Sequence, residues 1–128
     1  MDHLDPSTLI KIETVTRFLP NQSDPESHRF VFSYEITITN KNNQAVQLLS
    51  RRWVVTDGNE HVQEIEGEGV VGEQPVIQAH DSYRYTSGTV LATRVGSMFG
   101  HYVMETAEGE RFNATIPTFT LAQPNALH

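Results

Sequence analysis

Cysteine is absent from this 128-residue chain. That excludes a disulfide framework and any thiolate metal site. Positive charge is scarce. Nine lysines and arginines stand against sixteen aspartates and glutamates, for a formal net charge of -7. The only lysines are Lys11 and Lys41, and the one adjacent basic pair is Arg51-Arg52. An acidic surface repels nucleic-acid phosphates, so no nucleic-acid partner is expected. No apolar run approaches the ~20 residues of a membrane span, so no membrane insertion is expected. The start, Met1-Asp2-His3-Leu4-Asp5-Pro6, has neither a basic n-region nor an apolar h-region, and no signal peptide is read there. These absences together point to the cytoplasm. A 3.6-residue apolar repeat is also missing throughout, so no amphipathic helix is expected.

What is present is period-two alternation. Phe30, Phe32, Tyr34, Ile36 and Ile38 alternate with polar or smaller residues over nine positions, the pattern of a half-buried strand. A first strand is expected over Ile10 to Thr16. Leu19 to Ser27, with two prolines, reads as a loop, and Asn40-Lys41-Asn42-Asn43 as a polar turn. A third strand covers about Ala45 to Thr56. There Val46 and Leu48 share one parity, whereas Leu49, Trp53 and Val55 share the other. One face cannot bury both sets without a bulge, expected near Ser50-Arg51-Arg52. Asp57-Gly58 reads as a hairpin turn into a strand over His61 to Glu66. Further strands are expected at Pro75 to Ala79, Ser82 to Ser87, Gly96 to Glu105 and Arg111 to Leu121. Pro117 cannot donate to a ladder, which places the last strand at an edge or breaks it there. Seven or eight short strands predict an all-β, two-sheet antiparallel sandwich of the fibronectin type III or immunoglobulin-like kind, with Trp53 in its core. The chain reads as a single domain over 1–128, with an ordered core of about 10–121 and short tails.

Gly67-Glu68-Gly69-Val70-Val71-Gly72 matches G-x-G-x-x-G, the dinucleotide-binding spacing. That chemistry requires a helix behind the glycines, whose N-terminus holds the pyrophosphate. Here the triplet runs into Gln74-Pro75, and Pro75 turns its predecessor away from helical geometry. The expected structure is a glycine-rich bend between strands. Arg51 and Arg52, near hydroxyl-rich Ser50 and Tyr85-Thr86-Ser87-Gly88, are the arginines able to hold a carboxylate or phosphate. Adjacent strand residues face opposite ways, so joint action requires the bulge to re-aim one; otherwise surface ion pairing is expected. Glu64, Glu66 and Glu68 share one face and read as a solvated edge that discourages self-pairing. Six histidines (His3, His28, His61, His80, His101, His128) form no H-x-H or H-x-x-x-H pair. No metal site, cofactor or catalytic constellation is expected.

Several segments together resemble the bacterial ApaG family, from about Ile10 to His128. They are Leu19-Pro20 with Gln22-Ser23, Val46-Gln47-Leu48-Leu49-Ser50-Arg51 with Trp53, and the glycine triplet with Gln74-Pro75. Tyr85-Thr86-Ser87-Gly88, Gly100-His101-Tyr102 with Met104, and Ile116-Pro117 with Phe119 complete the set. The resemblance implies a fibronectin type III-like sandwich. The family is also called CorD, from a link to cobalt resistance and magnesium efflux, and similar domains are fused to F-box proteins. It therefore implies a non-enzymatic module that binds a protein partner through a sandwich face, an exposed strand edge or the 67–75 bend, within divalent-cation homeostasis. The alternative is a small-ligand protein or enzyme that takes a phosphate or nucleotide at the bend. The candidate ligand- or partner-binding residues are Gly67, Gly69, Gly72, Arg51 and Arg52.

Overall fold

The computed structural model describes residues 5–125; residues 1–4 and 126–128, with His3 and His128, lie outside it. Eight strands follow a short 3-10 turn at Pro6–Leu9: β1 (Ile10–Phe18), β2 (Phe30–Asn40), β3 (Val46–Asp57), β4 (Val62–Glu68), β5 (Val76–Ile77), β6 (Ser82–Leu91), β7 (Val95–Thr106) and β8 (Arg111–Ala122). They form two antiparallel sheets, β1-β2-β6 and β4-β3-β7-β8, with β5 extending the second sheet on β3 beyond β4. Among the described residues there is no α-helix, and none is long and apolar enough to cross a membrane.

The alternation read from the sequence builds the core. Phe32, Ile36 and Ile38 of β2 are fully buried against Leu48, Trp53 and Val55 of β3 and Met98, Tyr102 and Met104 of β7. The indole of Trp53 is 1% exposed, with its ring centroid 5.4 Å from Tyr34, 5.8 Å from Phe119 and 6.4 Å from Tyr102. The parity conflict in β3 is resolved by a bulge. Leu48 pairs with Met104 and Ser50 with Val103, so Leu49 is the extra residue. It lies just ahead of the expected Ser50–Arg52 span, and it lets Val46 and Leu48 face inward on one side and Trp53 and Val55 on the other. A second irregularity sets Pro117 and Thr118 opposite Phe99, and β8 is an edge strand that continues through the proline.

Three local readings are corrected, and a fourth is sharpened. β6 runs to Leu91 instead of ending at Ser87, because β2 offers it a continuous ladder down to the Phe30–Leu91 pair. β1 extends to Phe18 for the same reason, paired with Phe32. Val31, of outward parity, is buried because the 19–29 loop folds over it, with its amide donating to Ser23 Oγ at 2.9 Å. The turn after β2 is polar, as expected, with Lys41 exposed and two of its asparagines turned inward. Asn40 and Asn42 are buried, and Asn40 Nδ2 donates to the carbonyls of Gln44, Ile77 and Gln78. The buried amides thereby tie the turn to β5.

Candidate functional site

The β3 bulge also builds the glycine bend. An extra residue is left outside the ladder, so the Leu49 carbonyl is available to other donors. It accepts from Gly69 N at 2.9 Å and from Gln74 Nε2 at 2.8 Å, gripping both arms of the loop. Between them, Val70 and Glu73 exchange backbone hydrogen bonds of 2.8 and 2.9 Å. The two residues they enclose, Val71 and Gly72, have φ of +45° and +81°. Positive φ at both central positions defines a type I′ hairpin turn, whose twist suits the flanking strands. Val71 is β-branched, and such residues rarely adopt this conformation.

The motif glycines therefore have three different reasons to be glycine. Gly67 is extended and lies in β4. A β-carbon there would meet the Arg51 guanidinium at 2.7 Å. Gly69 has φ +62°, and a β-carbon would sit 2.1 Å from the Glu73 carbonyl oxygen. Gly72 is at the turn tip with nothing within 4 Å of its would-be β-carbon. The amides of Gly69, Val70 and Glu73 are all engaged by protein carbonyls, and no helix follows them.

The bulge precedes both arginines, so it re-aims them together and they remain on opposite faces. Arg51 has the parity of Trp53 and lies toward the facing sheet. Its Nη1 donates to the carbonyls of Glu68 at 3.1 Å and Gly69 at 2.9 Å, pinning the bend to β3. Arg52 lies on the outer face between Glu64, at 3.0 Å, and Glu66. These side chains are substantially exposed, so the pairs organise the surface and add little stability. The site residues thus separate: Gly67, Gly69 and Arg51 come together, Gly72 occupies the tip, and Arg52 belongs to the other face. The histidines also stay apart. His80 bonds Asn43 Oδ1 at 3.0 Å, while His101 stands opposite Arg52 and Thr115. Among the described residues, no three His, Asp or Glu side chains form a group that could hold a metal ion.

Behind the hairpin, the two sheets part to leave a cleft of about 240 Å³. Its floor is Tyr34, Trp53, Val70 and Tyr85, all buried, and its rim is Arg51, Glu68, Val71, Gly72 and Ser87. Tyr85 in turn has its hydroxyl 2.5 Å from that of the fully buried Tyr102. Burial raises the pKa of both phenols well above the ordinary value, and the neighbouring Arg51 charge only partly opposes this. The sequence signal for this cleft was the shared parity of Tyr83, Tyr85 and Ser87, but nothing local joined them to Arg51 or Trp53.

Two helix-free antiparallel sheets packed around a tryptophan-centred core define a fibronectin type III-like β-sandwich protein. Residues 20–106 match the ApaG domain family. Protein ApaG of Azoarcus sp. (strain BH72) is 53% identical over 119 residues, covering 93% of this chain and 94% of its own length. Protein ApaG of Pseudomonas fluorescens is 52% identical over 124 residues, covering 97% and 98%. A structural-genomics X-ray structure superposes with a TM-score of 0.92 at 46% identity, covering 97% of this chain and 94% of the other. A Bordetella pertussis protein described as ApaA superposes at 0.88 with 40% identity, covering 91% and 94%. The chain belongs to the ApaG family.

Proposed function

We propose that this protein is a non-enzymatic binding module of the cytoplasm that takes an extended segment of a partner protein along its β4–β5 edge. One observation carries the reading. Of the seven exposed large apolar residues among those described, four lie along this edge: Val62 and Ile65 on β4, Val71 at the hairpin tip and Val76 on β5. An edge strand presents unpaired backbone groups to a further strand, and apolar side chains beside it supply the selectivity of strand addition. Glu60 in the turn before β4 and Glu64, Glu66 and Glu68 on β4 disfavour pairing with a second copy and favour a partner strand carrying basic residues. The hairpin itself, with Gly67, Gly69 and Gly72 shaped by Arg51, limits the edge, and Arg52 borders its outer face. The link to cobalt and magnesium runs, on this reading, through the partner rather than through a metal held by this chain.

The test is selection of displayed peptides, followed by NMR titration. Selected sequences are expected to alternate apolar and basic residues. They should perturb amides of 62–68 and 76–77, and lose binding to Ile65→Lys while the fold persists. Perturbation confined to β1 or β8 would refute the assignment.

A further inference from the structure

The two sheets are unequal, and the inequality leaves one strand without a facing neighbour. One side of the sandwich is closed by β1 against β8, where Thr16 Oγ1 donates to the Thr120 carbonyl at 3.5 Å. On the other side the smaller sheet ends at β6, whose Tyr85 packs on Tyr102 of β7, while the larger sheet continues through β3 to β4. Ile65 and Gln63 of β4 pair with Trp53 and Val55 and so share their inner face. Trp53 and Val55 are each 1% exposed, whereas Ile65 is 39% exposed and Gln63 is exposed too. A groove therefore runs between β4 and β6. Clefts mark its two ends, one between Val62 and Gln63 of β4 and Val90 and Leu91 of β6, the other between Glu68 of β4 and Ser87 of β6.

The free edge of β6 faces this groove. Asn40 N donates to the Asp81 carbonyl, one step beyond the Thr39–Ser82 pair of the ladder. Alternation then commits the odd-numbered residues of β6 to β2 and turns the amides of Arg84, Thr86, Gly88 and Val90 to the open edge. The Asp57 amide, donating to the His61 carbonyl, sets the phase of the β3–β4 ladder in the same way. The free amides of β4 accordingly belong to Val62, Glu64, Glu66 and Glu68. Three carboxylates guard the β4 edge against pairing; the β6 edge carries one charged residue, Arg84.

Resting on the same reading of a partner segment beside β4, we propose that the segment lies in this groove and takes its backbone hydrogen bonds from β6. It becomes a fourth strand of the smaller sheet and lays its inward side chains on Ile65 and Gln63. Neighbouring strands stand about 4.7–4.9 Å apart and packed sheets about 10 Å apart, so a strand added to β6 faces β4 across the sandwich. Every second residue of the segment points inward and is apolar. One covers Ile65, and the next stands at the first cleft, whose rim carries the exposed Val62 and Val90. Asp57 lines that cleft and Glu60 stands in the turn beside it, which favours a basic residue at that end of the segment. A second copy of this chain does not fit. Two copies joined antiparallel through β6 share one sheet about a twofold axis perpendicular to it, and their projecting β4 strands then collide. A single strand meets no such obstacle.

The probe is the tightest-binding peptide from the display selection, and the measurement is amide hydrogen exchange of the protein with and without it. At saturation the amides of Arg84, Thr86, Gly88 and Val90 are expected to exchange at least about tenfold more slowly. Those of Glu64 and Glu66 should change little. Proline is tolerated in an edge strand where the amide faces away from the ladder, so Thr86→Pro and Glu66→Pro each block one edge. Thr86→Pro is expected to weaken the peptide several-fold and Glu66→Pro to leave its affinity unchanged, both with the amide spectrum otherwise preserved. If a proline variant fails to fold, exchange in the natural chain decides. Slowed exchange at Val62, Glu64, Glu66 and Glu68 with none on β6, or full affinity in a folded Thr86→Pro, would overturn this placement and leave the β4 edge as the docking strand. Failure to select any binding peptide would overturn both.

Discussion

Alanine substitution of the three motif glycines is expected to produce unequal losses of stability, and the inequality follows from the geometry of each position. At Gly69, left-handed backbone costs a residue with a β-carbon about 1–2 kcal/mol. The added carbon would also lie 2.1 Å from the Glu73 carbonyl oxygen. The hairpin must open to relieve this, losing two of the bonds among Gly69–Leu49 and the reciprocal Val70–Glu73 pair at about 1 kcal/mol each. Gly69→Ala should therefore cost about 3–4 kcal/mol. Gly72 has φ +81° but open space around it, so only the backbone preference acts, offset in part by the reduced freedom of the unfolded chain, for a net of about 1 kcal/mol. Gly67 needs no special φ, and the group its β-carbon meets is the end of a flexible arginine. The lost Arg51 contacts are balanced by relief of the entropic cost of glycine in a strand, so the change is near zero, within about 1 kcal/mol. Urea unfolding at constant m-value measures all three. A Gly69→Ala loss no larger than that of Gly72→Ala would refute the reasoning. A pyrophosphate cradle predicts instead that all three lose a ligand while folded. ATP, GTP and NAD at millimolar concentration are expected to leave the amides of Gly67 to Gln74 unmoved in an NMR titration. Saturable shifts confined to that loop and Arg51 or Arg52 would refute the bend reading.

Trp53→Ala removes a fully buried indole from three aromatic neighbours and should cost about 3–5 kcal/mol; a loss below about 1 kcal/mol would displace it from the core. Tyr85 and Tyr102 keep their protons in the folded state at pH values where the unfolded chain releases them. Their stabilisation is therefore present below about pH 10 and declines as pH rises further. Tyr102→Phe should flatten that decline in urea midpoints measured between pH 9 and 11, and an unchanged slope would refute it. Cobalt and magnesium are expected to give no saturable calorimetric signal in the micromolar range. A one-to-one site lost on Glu64→Gln or Glu66→Gln would overturn this.

Period two in Phe30 to Ile38, the parity conflict between Leu48 and Trp53, and the proline after the glycine triplet were sufficient to indicate an all-β sandwich, a bulged third strand and a bend rather than a helix at the triplet. Each is a local constraint, because side-chain direction in a strand alternates with sequence position whatever lies opposite. The burial of Asn40 and the extension of β6 to Leu91 depended on segments tens of residues away, and no local pattern encodes them; the cover over Val31 came from the neighbouring 19–29 loop folding back, which strand periodicity does not record. The divergence of Arg51 and Arg52 was already implicit in strand alternation, but which one faced the interior was decided by the bulge at Leu49. The Tyr34–Trp53–Tyr85 cleft arose only when β2, β3 and β6 were brought together. A strand determines the face on which its side chains lie; the pairing of sheets determines what they meet.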